Sequence, residues 1–137
     1  MEIMVDKKKL FNTIMILLFV ALVGYLYFGI QYRNNLMKDE NVNYTIGNVI
    51  DYEFGAKVAP WFTFNFYVDE KIWEGEYSIN DTLRRKSSSY LKRKYIGKKF
   101  FVKYSIIKPK FNELYLYKPV PDSLLDCVKC AWEEPPF

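Results

Sequence analysis

The spacing of apolar positions along the chain changes once, and that change divides it in two. Residues 10–30, LFNTIMILLFVALVGYLYFGI, hold twenty-one residues without a charge. As a helix rising 1.5 Å per residue, the run reaches about 30 Å, the thickness of a bilayer's hydrocarbon core. Only Asn12 and Thr13 interrupt it, and they give no polar face, so it reads as a transmembrane helix and not as the buried helix of a soluble protein. Beyond it the period falls to two. Residues 44–54 place Ile46, Ile50, Tyr52 and Phe54 on one face, with Gly47 marking a bulge or a close backbone approach. Residues 55–60 read as a loop.

The strongest β signal runs through residues 61–79. Phe62, Phe64, Phe66 and Val68 alternate with polar positions, and Trp73, Gly75, Tyr77 and Ile79 resume the pattern after Asp69-Glu70. A two-residue loop there pairs Val68 with Lys71, Phe66 with Trp73, Phe64 with Gly75 and Phe62 with Tyr77. Both apolar faces coincide in that register, and a slip of one residue would turn every ring to solvent. Glu70 objects to so tight a turn, which prefers glycine at a position of positive φ.

Asn80 or Asp81 can cap a short helix in 80–97, with Leu91 and Tyr95 one turn apart and Gly97 as its stop. Residues 99–107 alternate again, Phe100, Val102, Tyr104 and Ile106 facing one way. Residues 113–117 form a final edge strand, Asp122 starts a brief helical turn, and 133–137 read as an extended tail. The predicted fold is mainly β: one N-terminal transmembrane α-helix, then a small five-stranded bent sheet or partly open barrel (SH3/OB-like) with one short helix. The divisions are an N-terminus 1–9, the span 10–30, a linker 31–43, a β domain 44–118 and a C-terminal tail 119–137.

Charge orients the anchor. Lys7, Lys8 and Lys9 precede the span, while Arg33 and Lys38 follow it beside Asp39 and Glu40. The excess of basic residues on the N-terminal side favours a cytoplasmic N-terminus at the cell (inner) membrane with the C-terminal domain outside, in the periplasm. The apolar run is too long for a cleaved signal, and Tyr25, Tyr27 and Phe28 crowd the site where a peptidase needs small side chains.

Composition narrows the chemistry. Residues 31–137 carry seventeen Lys/Arg and fourteen Asp/Glu, a net +3, so bulk charge makes no case for nucleic acid. The chain has no histidine, which removes the commonest general base and the commonest zinc ligand. No catalytic set, no cofactor, no metal site and no small-molecule substrate are expected. Three features stand as candidates. Arg84, Arg85, Lys86, Lys92, Arg93, Lys94, Lys98 and Lys99 fall within sixteen residues that contain no acid, a segment able to attract anionic lipid or polymer, or else a plain solvated helix face. Cys127 and Cys130 read as a local disulfide or as free thiols, ahead of redox chemistry and structural metal. Glu74 and Glu76 share a strand face opposite Trp73 and Tyr77, where water is expected.

The stretch Tyr67-Val68-Asp69-Glu70-Lys71-Ile72-Trp73-Glu74-Gly75, then Gly97-Lys98-Lys99-Phe100-Phe101-Val102-Lys103-Tyr104, then Pro109 and Leu114 resembles a bacterial family of small membrane-anchored β-domain proteins of unknown function. That family's pattern is close to Val-Asp-Gly-Lys-x-Tyr-x-Gly, Gly-Lys-x-x-x-Val-x-Tyr and a later Asn-Pro. The resemblance spans residues 44–117. Glu70 stands where the pattern has Gly, Trp73 where it has Tyr and Lys108 where it has Asn. It implies an anchored β domain and no activity.

With 26 aromatic residues in 137 and no catalytic set, the expected role is a single-pass, non-catalytic interaction protein of the cell envelope, an accessory subunit or immunity-type partner of another envelope protein. The alternative is a sensor of anionic lipid or polymer acting through residues 84–99.

Overall fold

The computed structural model describes residues 6–137 and divides the chain into two compact units, 1–35 and 36–137. Among the described residues the first is the helix α1, Lys7–Leu36, as far as Asn35. Thirty residues make it about 45 Å long, and its most apolar stretch has no residue buried within the protein. It is therefore long and apolar enough to cross a bilayer. The segment expected as a linker starts as six more residues of this helix, then makes a 3-10 turn at Asp39–Asn41.

In the second unit, β1 (Val42–Gly55), β2 (Val58–Val68), β3 (Lys71–Ser78), β4 (Lys99–Ser105) and β5 (Asn112–Pro119) build an antiparallel sheet in the order β3-β2-β1-β4-β5. Between β3 and β4 lie two short helices, α2 (Asp81–Arg84) and α3 (Ser88–Tyr95). The sheet is open but strongly bent. Its outermost strands approach without pairing: the Asn112 side chain of β5 lies against Gly75 of β3, and the phenols of Tyr77 and Tyr117 interact across the gap. The β2–β3 hairpin has the predicted register, Phe62↔Tyr77, Phe64↔Gly75, Phe66↔Trp73 and Val68↔Lys71. Its two-residue turn holds Asp69 and Glu70 at φ 52° and 64°, so the turn stays tight and Glu70 bears the left-handed backbone.

The principal core forms on the concave side. Phe62, Phe64, Phe66, Phe100, Val102 and Leu114 fill it, with Leu83 and Leu91 of the helices laid across. The helical region is two helices where one was expected. Asn80 caps α2, its Oδ1 accepting from the Leu83 amide at 3.0 Å, and Ser87 caps α3, its Oγ accepting from the Tyr90 amide at 3.2 Å.

Three expectations are corrected. The face of β1 changes at Ile50, where a bulge separates Val49↔Phe64 from Asp51↔Thr63. Val49 is fully buried and Ile50 turns outward, while Gly47 is the site of close approach, beneath Val102 and Phe64. The loop expected at 55–60 is shorter: β1 reaches Gly55 and β2 begins at Val58, leaving Phe54 exposed at a hairpin tip. Finally, β4 ends at Ser105, so Ile106 and Ile107 are exposed beyond it.

The convex face has a smaller core of its own. Ile46, Phe101 and Val120 are buried there beneath Leu124, Leu125, Cys127 and Trp132, all from the C-terminal segment. That segment makes a 3-10 turn at Asp122–Leu124 and then a sixth strand, β6 (Ala131–Trp132), paired with Tyr44 and Thr45 of β1. β2 covers this edge of β1 only from Gly47 onward, so β6 covers its start. Phe137 closes the face, its ring 5.2 Å from both Phe101 and Tyr115.

Candidate basic and aromatic cleft

The basic segment is arranged by α3. Leu91 and Tyr95 turn into the core one helical turn apart, which leaves Lys92, Arg93 and Lys94 on the solvent side. The helix ends at Gly97, φ 79°. The Gly97 amide donates to the Val49 carbonyl at 2.8 Å, and the Val49 amide donates to the Lys98 carbonyl at 3.1 Å. This pair of bonds fixes the helix exit against β1 and starts β4 at Lys99.

The eight basic residues do not form one patch. Lys94, Lys98 and Lys99 line a cleft of ≈ 540 Å³ whose other wall comes from Leu116 and Tyr117 of β5 and from Leu125 of the C-terminal segment. Asp122 is the one acid on it. Lys99 Nζ donates to the Leu125 carbonyl at 2.6 Å, tying that segment to the cleft floor. Lys94 Nζ donates to the Tyr90 hydroxyl at 3.2 Å and stands 5.4 Å from the Tyr95 ring centre. The hydrogen bond to the Tyr90 hydroxyl, then the Tyr95 and Tyr90 phenols, raise the Lys94 pKa. On the β5 wall the Tyr117 hydroxyl accepts from Asn80 at 2.9 Å.

The remaining five basic residues lie elsewhere. Arg84 pairs with Asp81 at 3.3 Å, Lys86 covers the Tyr90 ring at 5.5 Å, and Arg93 donates to the Ser89 carbonyl at 3.3 Å. Lys92 stands 5.8 Å from the ring of Tyr52 on β1, and Arg85 is exposed. The opposite wall of the cleft had no signal in the sequence, because Leu116, Tyr117 and Leu125 lie seventeen or more residues from the lysines and read as strand and tail positions.

Cys127 and Cys130 are joined as a disulfide, Cα atoms 5.4 Å apart. The Cys130 carbonyl accepts from the Thr45 hydroxyl at 2.7 Å, so this small ring is fastened to β1. Glu74 and Glu76 are exposed beside a shallow hollow with Thr63, Lys110 and Asn112. Among the described residues no three of Cys, Asp and Glu converge as metal ligands.

The strongest pKa displacements fall on tyrosines. Burial, then Glu113 and Tyr44, push Tyr115 up to about 12. Burial likewise raises Tyr44, Tyr77 and Tyr104. These phenols lie outside the cleft lined by the lysines. Comparison of the chain with protein-family models, curated proteins and solved structures gives no match.

Proposed function

We propose that this chain is a single-pass membrane-anchored, non-catalytic interaction protein of the cell envelope, its N-terminus cytoplasmic and its β unit outside, where it binds another envelope protein through the cleft at Lys94, Lys98 and Lys99. The supporting observation is the make-up of that cleft. Its floor is apolar and aromatic, and its rim carries three ammonium groups against one carboxylate. Such a surface suits an acidic segment with one or two aliphatic side chains: the lysines set the encounter and the partner's sign, and the apolar floor supplies the contact. The resemblance to small membrane-anchored β-domain proteins points the same way and adds no activity.

Photo-crosslinking from a residue replacing the exposed Tyr117, in full-length protein in its native membrane, tests the reading. One discrete adduct with a membrane protein, lost on Lys94→Glu with Lys98→Glu, is expected. Absence of any adduct, or an adduct indifferent to the charge reversal, would overturn it.

A further inference from the structure

The β1–β2 hairpin runs past the edge of the core. At its tip Phe54 is 72% exposed and Val58 65%, with Lys57 in the turn between them. The Phe54 ring lies 6.4 Å from Tyr52, whose own ring packs 5.7 Å from Phe62 of the core, so the apolar line of β1 continues out of the core into solvent. Lys92 of α3 stands over this line at the Tyr52 ring, and Arg93, the next residue of the helix, is exposed. The hairpin's acids are turned away. Asp51 and Glu53 lie opposite Thr63 and Trp61 on the other face, and Glu53 accepts from the Thr63 hydroxyl at 3.4 Å.

We infer that the hairpin tip, Phe54 and Val58, together with Lys57 and the Lys92–Arg93 side of α3, is a docking face for an anionic lipid bilayer. Charge complementarity and size decide the occupant. A protein partner needs about 800 Å² on each side with a packed apolar centre, and two side chains at the end of a two-stranded arm offer neither. A bilayer asks only that a few apolar groups enter the acyl boundary while lysines and arginines stay among the phosphates. This face carries those two parts side by side and keeps its carboxylates on the far side. It is distinct from the cleft, which none of these residues line. The tip lies twelve residues along β1 from Val42, where the strand begins, roughly 40 Å of strand. The bilayer it meets is either the one holding α1 or a second membrane facing it, and both present the same phosphate and acyl chemistry.

The test uses the full-length protein in phosphatidylcholine proteoliposomes, offered acceptor vesicles of phosphatidylcholine with or without phosphatidylglycerol. In parallel, Phe54→Trp is reconstituted into bilayers of brominated lipid, neutral or anionic. Capture of anionic acceptors assigns the face to a second membrane, and quenching of the introduced indole in anionic bilayers assigns it to the protein's own. Either effect should fall about tenfold or more in Phe54→Ser with Val58→Ser and in Lys92→Glu with Arg93→Glu, the latter pair also removing most of the salt dependence. All four positions are exposed, and an unchanged near-ultraviolet spectrum confirms that each variant is folded. Lys94→Glu with Lys98→Glu should leave the indole quenching in place, which separates this inference from the cleft. Neutral and anionic lipid behaving alike, neither effect appearing, or both surviving the substitutions would overturn it, as would a protein crosslinked at Phe54 in place of lipid.

Discussion

The ring of Phe64 on β2 occupies the space that a side chain on Gly75 of β3 would need. Phe64 is fully buried and cannot withdraw, and the Asn112 amide oxygen of β5 closes the same space from the other side. Gly75→Ala must therefore move an aromatic core residue or part β3 from β5. A loss of about 1 to 3 kcal/mol is expected, the range for an added methyl in a packed core. Urea unfolding of the full-length protein in detergent measures it. An alanine as stable as glycine would mean that these two residues are not cross-strand partners.

This contact was legible because two independent patterns agreed on it: the alternation in 61–68 and that in 71–79 superpose in one register, with glycine opposite the third ring. The same reasoning misplaced Ile50, because a bulge there shifts the register by one without leaving a residue type that announces it. Gly47 was the visible anomaly in β1, yet it answers to Val102 across the ladder and leaves the strand regular. β6 was invisible for another reason. Two residues have no period, and Ala131–Trp132 earn their place from the unpaired start of β1, which is a property of the assembled sheet. The candidate site divides along the same line: α3 and its lysines could be read from spacing, whereas the β5 wall that makes them a cleft is a tertiary fact.

Glu70 is the second testable position. Both residues of the β2–β3 turn have positive φ, and a side chain in the left-handed region costs about 1 kcal/mol relative to glycine. The compensating contact is weak, since Lys129 Nζ stands 3.6 Å from Glu70 with both side chains well exposed. Glu70→Gly should therefore stabilise the protein by about 0.5 to 1 kcal/mol, and Glu70→Val should destabilise it by at least as much. Thermal midpoints of the two variants against the parent decide it. A destabilised glycine variant would show that the ion pair outweighs the backbone term.

The C-terminal segment should behave as a cover whose removal harms the convex face and spares the concave one. Trp132→Ala strips the aromatic lid from Phe101, whose ring centre is 5.9 Å away, and weakens the pairing with Tyr44. A cost of about 2 kcal/mol is expected, below the range for a fully buried aromatic because Trp132 is partly exposed. Hydrogen exchange should locate the change. The amides of Ala131, Trp132 and the start of β1 lose protection, while those of β2 and β3 keep it. Uniform loss across all strands would mean that the two cores unfold as one. Reducing the Cys127–Cys130 bond should cost no more than about 2 kcal/mol, because the ring it closes is so short.

Alkaline pH gives the last test, and its sign follows from the tyrosines. Tyr115 titrates near 12 in the folded protein, with burial the largest cause, against an ordinary value near 10 in the unfolded chain. Between those values the unfolded state has released a proton that the folded state still holds, so folding stability falls as pH rises through that window and is unaffected by this group below it. Tyr44, Tyr77 and Tyr104 are displaced in the same direction and add to the slope. Tyr115→Phe keeps the ring against Phe137 but removes both the late-titrating phenol and its polar interaction with Tyr44. The variant should start less stable near neutrality and lose less on going from pH 10 to 12, so its unfolding curve converges on that of the parent. Absorbance at the phenolate band, followed with pH in the folded protein, should show a late-ionising class that Tyr115→Phe diminishes. A single wave near pH 10 in the parent would place these phenols in water and overturn their burial.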